Sequence, residues 1–274
     1  MARKGPARYI RGVKLDPQQT ALIGMVHLLP LPGSPRWTGR GGVRAIVEQA
    51  VRDGEACLEG GCDGLIVENM ADLPYLRGHI YPETIAAMTL ATAAVVALGK
   101  PTGVQCLAAA NREALGVALA AGASFIRAEA FAYAHVADEG WLDATAAEVL
   151  RARAALGADV AVWADVKKKH SAHAVTADLT LADVAHGTAF SGADALIVTG
   201  PATGRPADPD DVRAALSAHL PVVVGSGIDV HNVARFTMAQ ALIVGSSIKV
   251  DGDWRQPVDP ARVRALADAL RGAA

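Results

Sequence analysis

Two short stretches place charged side chains two residues apart, the spacing that sets them on one side of an extended chain. In DVAVWADVKKKH these are Asp165 and Lys167, and in SFIRAEAF they are Arg127 and Glu129. An ammonium beside Asp165 favours its ionised form and suits it as a general base. Glu129 or Glu68 in a drier place would keep a proton and serve as the acid. Such a carboxylate set fits isomerisation, elimination or cleavage of a glycosidic bond. The same pairs suit structural ion pairs equally well, because a buried charge needs a partner.

A second group of residues suits anion binding. The run PVVVGSGIDVHNV is followed by ALIVGSSIKVDGDW, giving two glycine–serine turns, Gly225, Ser226 and Gly227 in the first and Gly245, Ser246 and Ser247 in the second. Glycines there let backbone N–H groups approach a phosphate. In DVKKKHSAH, Lys167, Lys169 and His170 either form a solvated charged face or grip an anionic substrate. His27, Asn69, Gln105, Arg127 and Thr199 complete the expected substrate-contacting set. No cofactor is expected, and the alternative left open is a divalent metal held by His27, Glu68 and Asp165, although these lack the close spacing of a ligand motif. Cys106 has no evident base beside it and is a weak nucleophile candidate.

The elements that must carry these residues are short apolar runs, each followed by a helical pattern. ALIGMVH, DGLIVEN, PTGVQCL, SFIRAE, DVAVWADV, ADALIVT, PVVVGS and ALIVGS make eight. They are apolar throughout rather than alternating, as strands buried on both faces are. Eight such units over residues 21–274 predict one (β/α)8 barrel of the TIM type, preceded by a lead segment over residues 1–20. An open doubly wound sheet would want a glycine-rich G-x-G-x-x-G turn after the first strand, where this chain has HLLPLPG. In a barrel, sites form at the C-terminal strand ends, and His27, Glu68, Gln105, Arg127, Asp165 and Thr199 all fall there.

Composition narrows the partners. With 26 Lys and Arg against 28 Asp and Glu the net charge is −2, which gives no bulk field for nucleic acid or an anionic membrane. The most apolar window, residues 85–99, is too short for a bilayer span and reads as a buried helix. Three cysteines fit reduced core thiols, so a cytoplasmic setting is expected. A homodimer is expected only because two-fold assemblies are the commonest.

The segments IGMVHLLPLPGSP, DGLIVENMADLPY, VQCLAAANREAL, FIRAEAF, VWADVKKKHSAH, ALIVTGPATG, VVVGSGID and VGSSIKVDGDW, taken in order, resemble the BtpA/SgcQ family. The resemblance implies a phosphate-binding-type barrel. It leaves two functions open, since the cyanobacterial namesake is linked to photosystem I biogenesis and other relatives are often assigned to sugar metabolism. One is an enzyme on a phosphorylated sugar or nucleotide-like molecule, and the other is a non-catalytic assembly or stability factor. Charged residues on the outer helix faces favour the enzyme. Residues 236–241 (FTMAQA) depart from the Gly-Ala-Asp-like turn that phosphate barrels often carry before the eighth strand.

Overall fold

The computed structural model describes residues 13, 16, 18–200, 205–225 and 227–273. Most of the expected lead segment, and Ser226 among the expected phosphate contacts, therefore lie outside the described residues. Eight parallel strands close into a barrel: β1 (Ala21–His27), β2 (Gly64–Glu68), β3 (Thr102–Gln105), β4 (Phe125–Ala128), β5 (Ala161–Asp165), β6 (Ala195–Thr199), β7 (Val222–Gly225) and β8 (Ala241–Val244). Each pairs with the next, and β8 returns to β1 through Ala21–Ala241 and Leu22–Leu242. The helices are α1 (Gly42–Gly60), α2 (Pro82–Val96), α3 (Asn111–Ala121), α4 (Ala146–Ala155), α5 (Leu181–Phe190), α6 (Pro209–Leu216) and α7 (Pro260–Gly272).

Strand side chains split into two sets by the two-residue period. Leu22, Val26, Leu65, Val67, Val104, Ile126, Val162 and Leu196 face outward into the layer beneath the helices. Ile23, Met25, Ile66, Phe125, Trp163, Ile197, Val223 and Ile243 fill the barrel interior, joined by Val13 from the lead segment. The Phe125 and Trp163 rings stack with centroids 3.8 Å apart and planes 11° apart. Gly103 makes room for them, since a Cβ there would lie 2.2 Å from the Phe125 ring. This aromatic layer is the floor on which the polar strand ends stand.

Two features depart from eight uniform units. After β7 a single 3₁₀ turn, Val233–Phe236, stands where a seventh outer helix was expected. The Asp229 carboxylate accepts from the backbone N–H groups of His231 and Asn232 and turns the chain early. A small antiparallel sheet also forms from a hairpin after β4, strands His135–Ala137 and Gly140–Leu142, and from Ser171–Ala172 after β5. Lys168 ties this hairpin down through Glu139 at 2.8 Å. Window 85–99 falls largely in α2, which buries Ala87, Met88, Ala91 and Val95. Among the described residues no helix is long and apolar enough to cross a membrane.

Candidate active site

One step above the aromatic floor, the inward positions carry His27, Glu68, Gln105, Arg127, Asp165 and Thr199, then Gly225 and Gly245. A cavity of about 240 Å³ opens at this end of the barrel. His27, Glu68, Arg127 and Lys169 line it together with Gly227, Gly245, Ser246 and Ser247.

His27 Nε2 lies 3.3 Å from Glu68 Oε2, the geometry of an ion pair. Protonation states argue otherwise. Burial, then the nearby Lys249 ammonium, push the imidazole down to about 3, and burial raises Glu68 above the usual carboxylate range. His27 Nδ1 is 3.4 Å from the Trp254 carbonyl, which can only accept. With Nδ1 donating to that carbonyl, a neutral imidazole presents Nε2 as an acceptor toward Glu68. Both shifts run against a charged ion pair and favour the protonated, acid form of Glu68.

Arg127 is held differently. Its guanidinium donates to Asp165 from Nη2 at 3.1 and 3.2 Å and from Nε at 3.3 Å, and both side chains are almost fully buried. Burial opposes its charge, but Asp165, Glu68 and Glu129 outweigh that and hold it protonated above its ordinary value. Gly225 stands beside the guanidinium, with the site of an added Cβ 3.7 Å from Arg127 Nη1, an ordinary contact distance. Lys169 reaches the cavity from the loop after β5. Burial first, then the Arg127 charge, lower its pKa, and among the described residues it has no ion pair or hydrogen-bond partner.

Glu129 lies outside this cavity, in a polar knot beside it. Gln105 and the backbone N–H of Ala109 donate to its two oxygens at 3.3 and 3.2 Å, and the Lys168 ammonium is 3.8 Å away. Burial lifts its carboxyl to about 7 despite that ammonium.

The glycine–serine turns meet the cavity from the last two strands. Gly227 sits at φ +67°, and a Cβ there would lie 2.3 Å from the Arg205 carbonyl carbon and from Pro206 N, so only glycine fits against that backbone. The 3₁₀ turn Ser246–Ile248 leaves the leading N–H groups of Ser246 and Ser247 without an acceptor inside the turn. Among the described residues no cluster of His, Cys, Asp and Glu is arranged to hold a metal. His27, Glu68 and Asp165 are engaged pairwise instead.

The chain matches the BtpA family over residues 18–272. It belongs to that family. Among relatives of this BtpA-family chain, an uncharacterised protein of Caenorhabditis elegans, F13E9.13, described as mitochondrial, is 41% identical over 91% of this chain and 92% of its own length. The photosystem I biogenesis protein BtpA of Synechocystis is 38% identical over 91% of this chain and 87% of its own. The barrel is also similar in fold to phosphoribosyl anthranilate isomerase from Thermus thermophilus. That match has a TM-score of 0.55 and 15% identity, and covers 93% of this chain and all (100%) of the other.

The remaining expected contacts fall elsewhere in the BtpA-family barrel. Lys167 does not face the cavity; with Thr199 it lines a separate outer groove that also holds Arg235, Asp208 and Asp211. The Thr199 hydroxyl donates to the Lys167 carbonyl at 3.0 Å. His170 is exposed and lines neither space. Asn69 is a loop tie, accepting from Leu107 N at 2.8 Å and donating to Asp72 at 3.1 Å. Gln105 serves Glu129. Four residues of the region were not foreseen. Asp229 and Met70 line the cavity, and Lys249 forms a buried pair with Asp53 at 2.7 Å that fixes the loop after β8 to α1. Asp53 lies within an amphipathic helix pattern, where an acid reads as surface charge, so no sequence signal marked it.

Proposed function

We propose that this protein is an enzyme acting on a phosphorylated small molecule, a sugar phosphate or nucleotide-like compound, by carboxylate acid/base chemistry. One observation carries the reading: a single cavity joins the two glycine–serine turns to His27, Glu68, Arg127 and Lys169. Gly227, Gly245, Ser246 and Ser247 would cradle the phosphate with backbone N–H groups, and Ser226 belongs to the same proposed turn. Arg127 and Lys169 would supply the cationic side. Glu68, rather than Asp165, would transfer the proton, because it lines the cavity and burial favours its protonated form. Asp165 would position Arg127. Isomerisation, elimination and glycosidic cleavage all remain within this proton-transfer chemistry. The phosphoribosyl group in the name of the Thermus barrel is consistent with such a substrate and bears on the fold alone.

Calorimetry with glycerol 3-phosphate and inorganic phosphate, followed by turnover of a phosphosugar and nucleotide panel, tests this reading. Glu68→Gln is expected to keep binding and to lose roughly 10²–10⁴-fold in rate, the usual worth of a general acid or base. A loss below about tenfold would remove Glu68 from the chemistry. A second reading, an assembly factor, is favoured by the name of the Synechocystis relative. It would act through a surface. Phe190, at the end of α5, is 94% exposed and is the place to seek one, or the contact of the expected homodimer. A reducing, cytoplasmic setting belongs to the same proposal, and Cys57, Cys62 and Cys106 are buried and free.

A further inference from the structure

We propose that Lys169 is a covalent nucleophile, its amine condensing with the aldehyde or ketone carbon of a substrate that also carries a phosphate. This narrows the substrate class to phosphorylated carbonyl compounds and rests on the phosphate reading of the cavity.

The lysines near the mouth differ in what they are committed to. Lys168 is locked to Glu139 and Glu129, Lys249 to Asp53, and Lys167 lies in the outer groove. Lys169 alone among them lines the cavity, and among the described residues its amine has no partner. An amine kept only to bind anions gains from a high pKa and a nearby carboxylate. For this one the balance runs the other way: it is half-buried, and burial together with the Arg127 guanidinium disfavours its charged form more than the Glu68, Asp165 and Glu129 carboxylates favour it. A lysine desolvated beside another cation is an activated amine. Arg127, whose charge Asp165 secures, already supplies a permanent cation for the anion.

The acid that imine formation requires lines the same cavity. The Lys169 Nζ lone pair adds to the carbonyl carbon, the π pair moves to oxygen, and a proton passes from nitrogen to that oxygen, giving a carbinolamine. The C–O bond then breaks as Glu68 gives its proton to the departing hydroxyl, which leaves as water. The nitrogen lone pair forms the C=N bond, and the product is an iminium facing a Glu68 carboxylate. No oxidant or reductant is needed. The iminium acidifies the adjacent C–H, and the Glu68 carboxylate just formed is placed to take that proton, which joins the covalent step to the acid/base chemistry proposed above.

The experiment is reductive trapping at neutral pH. The full-length protein is incubated with glyceraldehyde 3-phosphate or dihydroxyacetone phosphate and sodium cyanoborohydride, and adducts are mapped by peptide mass spectrometry. Glycerol 3-phosphate binding is followed in parallel by calorimetry. The expected result is modification at Lys169 several-fold faster than at exposed Lys100, slowed by inorganic phosphate, with a pH profile whose midpoint lies below that of Lys100. Lys169→Arg should lose the adduct while keeping the melting temperature. Labelling of Lys169 no faster than of Lys100, with glycerol 3-phosphate still bound, would overturn the covalent step and leave the phosphate reading standing. Equally fast labelling by unphosphorylated glyceraldehyde would uphold the activated amine and overturn the phosphate anchor. Absence of both selective labelling and binding would overturn both.

Discussion

The pairing of Arg127 with Asp165 yields the sharpest quantitative expectation, tested by Asp165→Asn. The exchange keeps the shape and one acceptor oxygen but removes the charge that receives three hydrogen bonds of 3.1–3.3 Å. Arg127 is only 5% exposed, so water cannot take over. Glu68 and Glu129 also favour the Arg127 charge, but neither is hydrogen-bonded to it and burial disfavours their ionised forms. Leaving a buried charge without its partner costs about 3–5 kcal/mol. At roughly 2–4 °C per kcal/mol for a large domain, the melting midpoint should fall by about 6–20 °C. Asp253→Asn, at an exposed pair with Arg255, should leave the midpoint unmoved. Removing both charges in Arg127→Met/Asp165→Asn should recover at least half of the loss, because replacing a buried pair by neutral groups often costs little. Urea and thermal unfolding followed by circular dichroism, arranged as a double-mutant cycle, measures the coupling. A single-variant loss below about 1 kcal/mol, or a double variant as unstable as Asp165→Asn, would refute the reasoning. Catalysis gives an independent check. If Asp165 only positions Arg127, turnover per folded molecule should fall by less than about tenfold, whereas a loss of roughly 10²-fold at nearly wild-type stability would make Asp165 the base after all.

Further expectations follow from the same geometry. Glu129 is held near 7 against 4.5 for an ordinary carboxyl, so the folded chain keeps a proton that the unfolded chain has lost; stability is fullest below about pH 4.5 and falls as pH rises through 7, by on the order of 3 kcal/mol. Glu129→Gln should flatten that limb in urea titrations run from pH 5 to 8, and an unchanged slope would place the titrating group elsewhere. His27 has the opposite sign: its imidazole stays neutral down to about 3 against 6.5, so stability is lost as pH falls across that interval, and His27→Gln should blunt the acid limb of the same titration. Gly227→Ala should cost about 1–3 kcal/mol in thermal unfolding and exceed the cost of Gly39→Ala, which shares a positive φ but has open space around its Cβ, so equal costs would deny the close approach to residues 205 and 206. Phe190→Ser should convert a dimer to a monomer in light scattering; a wild type that already has a single chain's mass would end the dimer expectation.

The barrel and its polar rim were legible because both follow from a local rule. A strand buried on both faces must be apolar throughout, and the two-residue period carries the inward set from Ile23 and Met25 to His27, from Ile66 to Glu68 and from Phe125 to Arg127 without reference to any other strand. The glycine–serine turns were legible for a similar reason, since a residue without a Cβ signals close backbone approach at its own position.

Which charges meet was decided only by the tertiary fold. Asp165 has Lys167 two residues on along its own chain, but β4 lies beside β5 with Arg127 opposite Trp163, and from there the long Arg127 side chain reaches up the barrel to the Asp165 carboxylate. The inward–outward alternation also ends where β5 ends, at Asp165. The chain then turns, so Lys167 is delivered to the outer groove and Lys169 to the cavity. Long-range contacts did the rest. Glu139 reaches Lys168 from a hairpin that no period announces, and Asp53 meets Lys249 from the far end of the chain. The sequence by itself determined which residues stand at the mouth of the barrel. Only closure of the barrel determined which carboxylate gained an arginine, which one came to face a histidine, and which lysine lines the cavity.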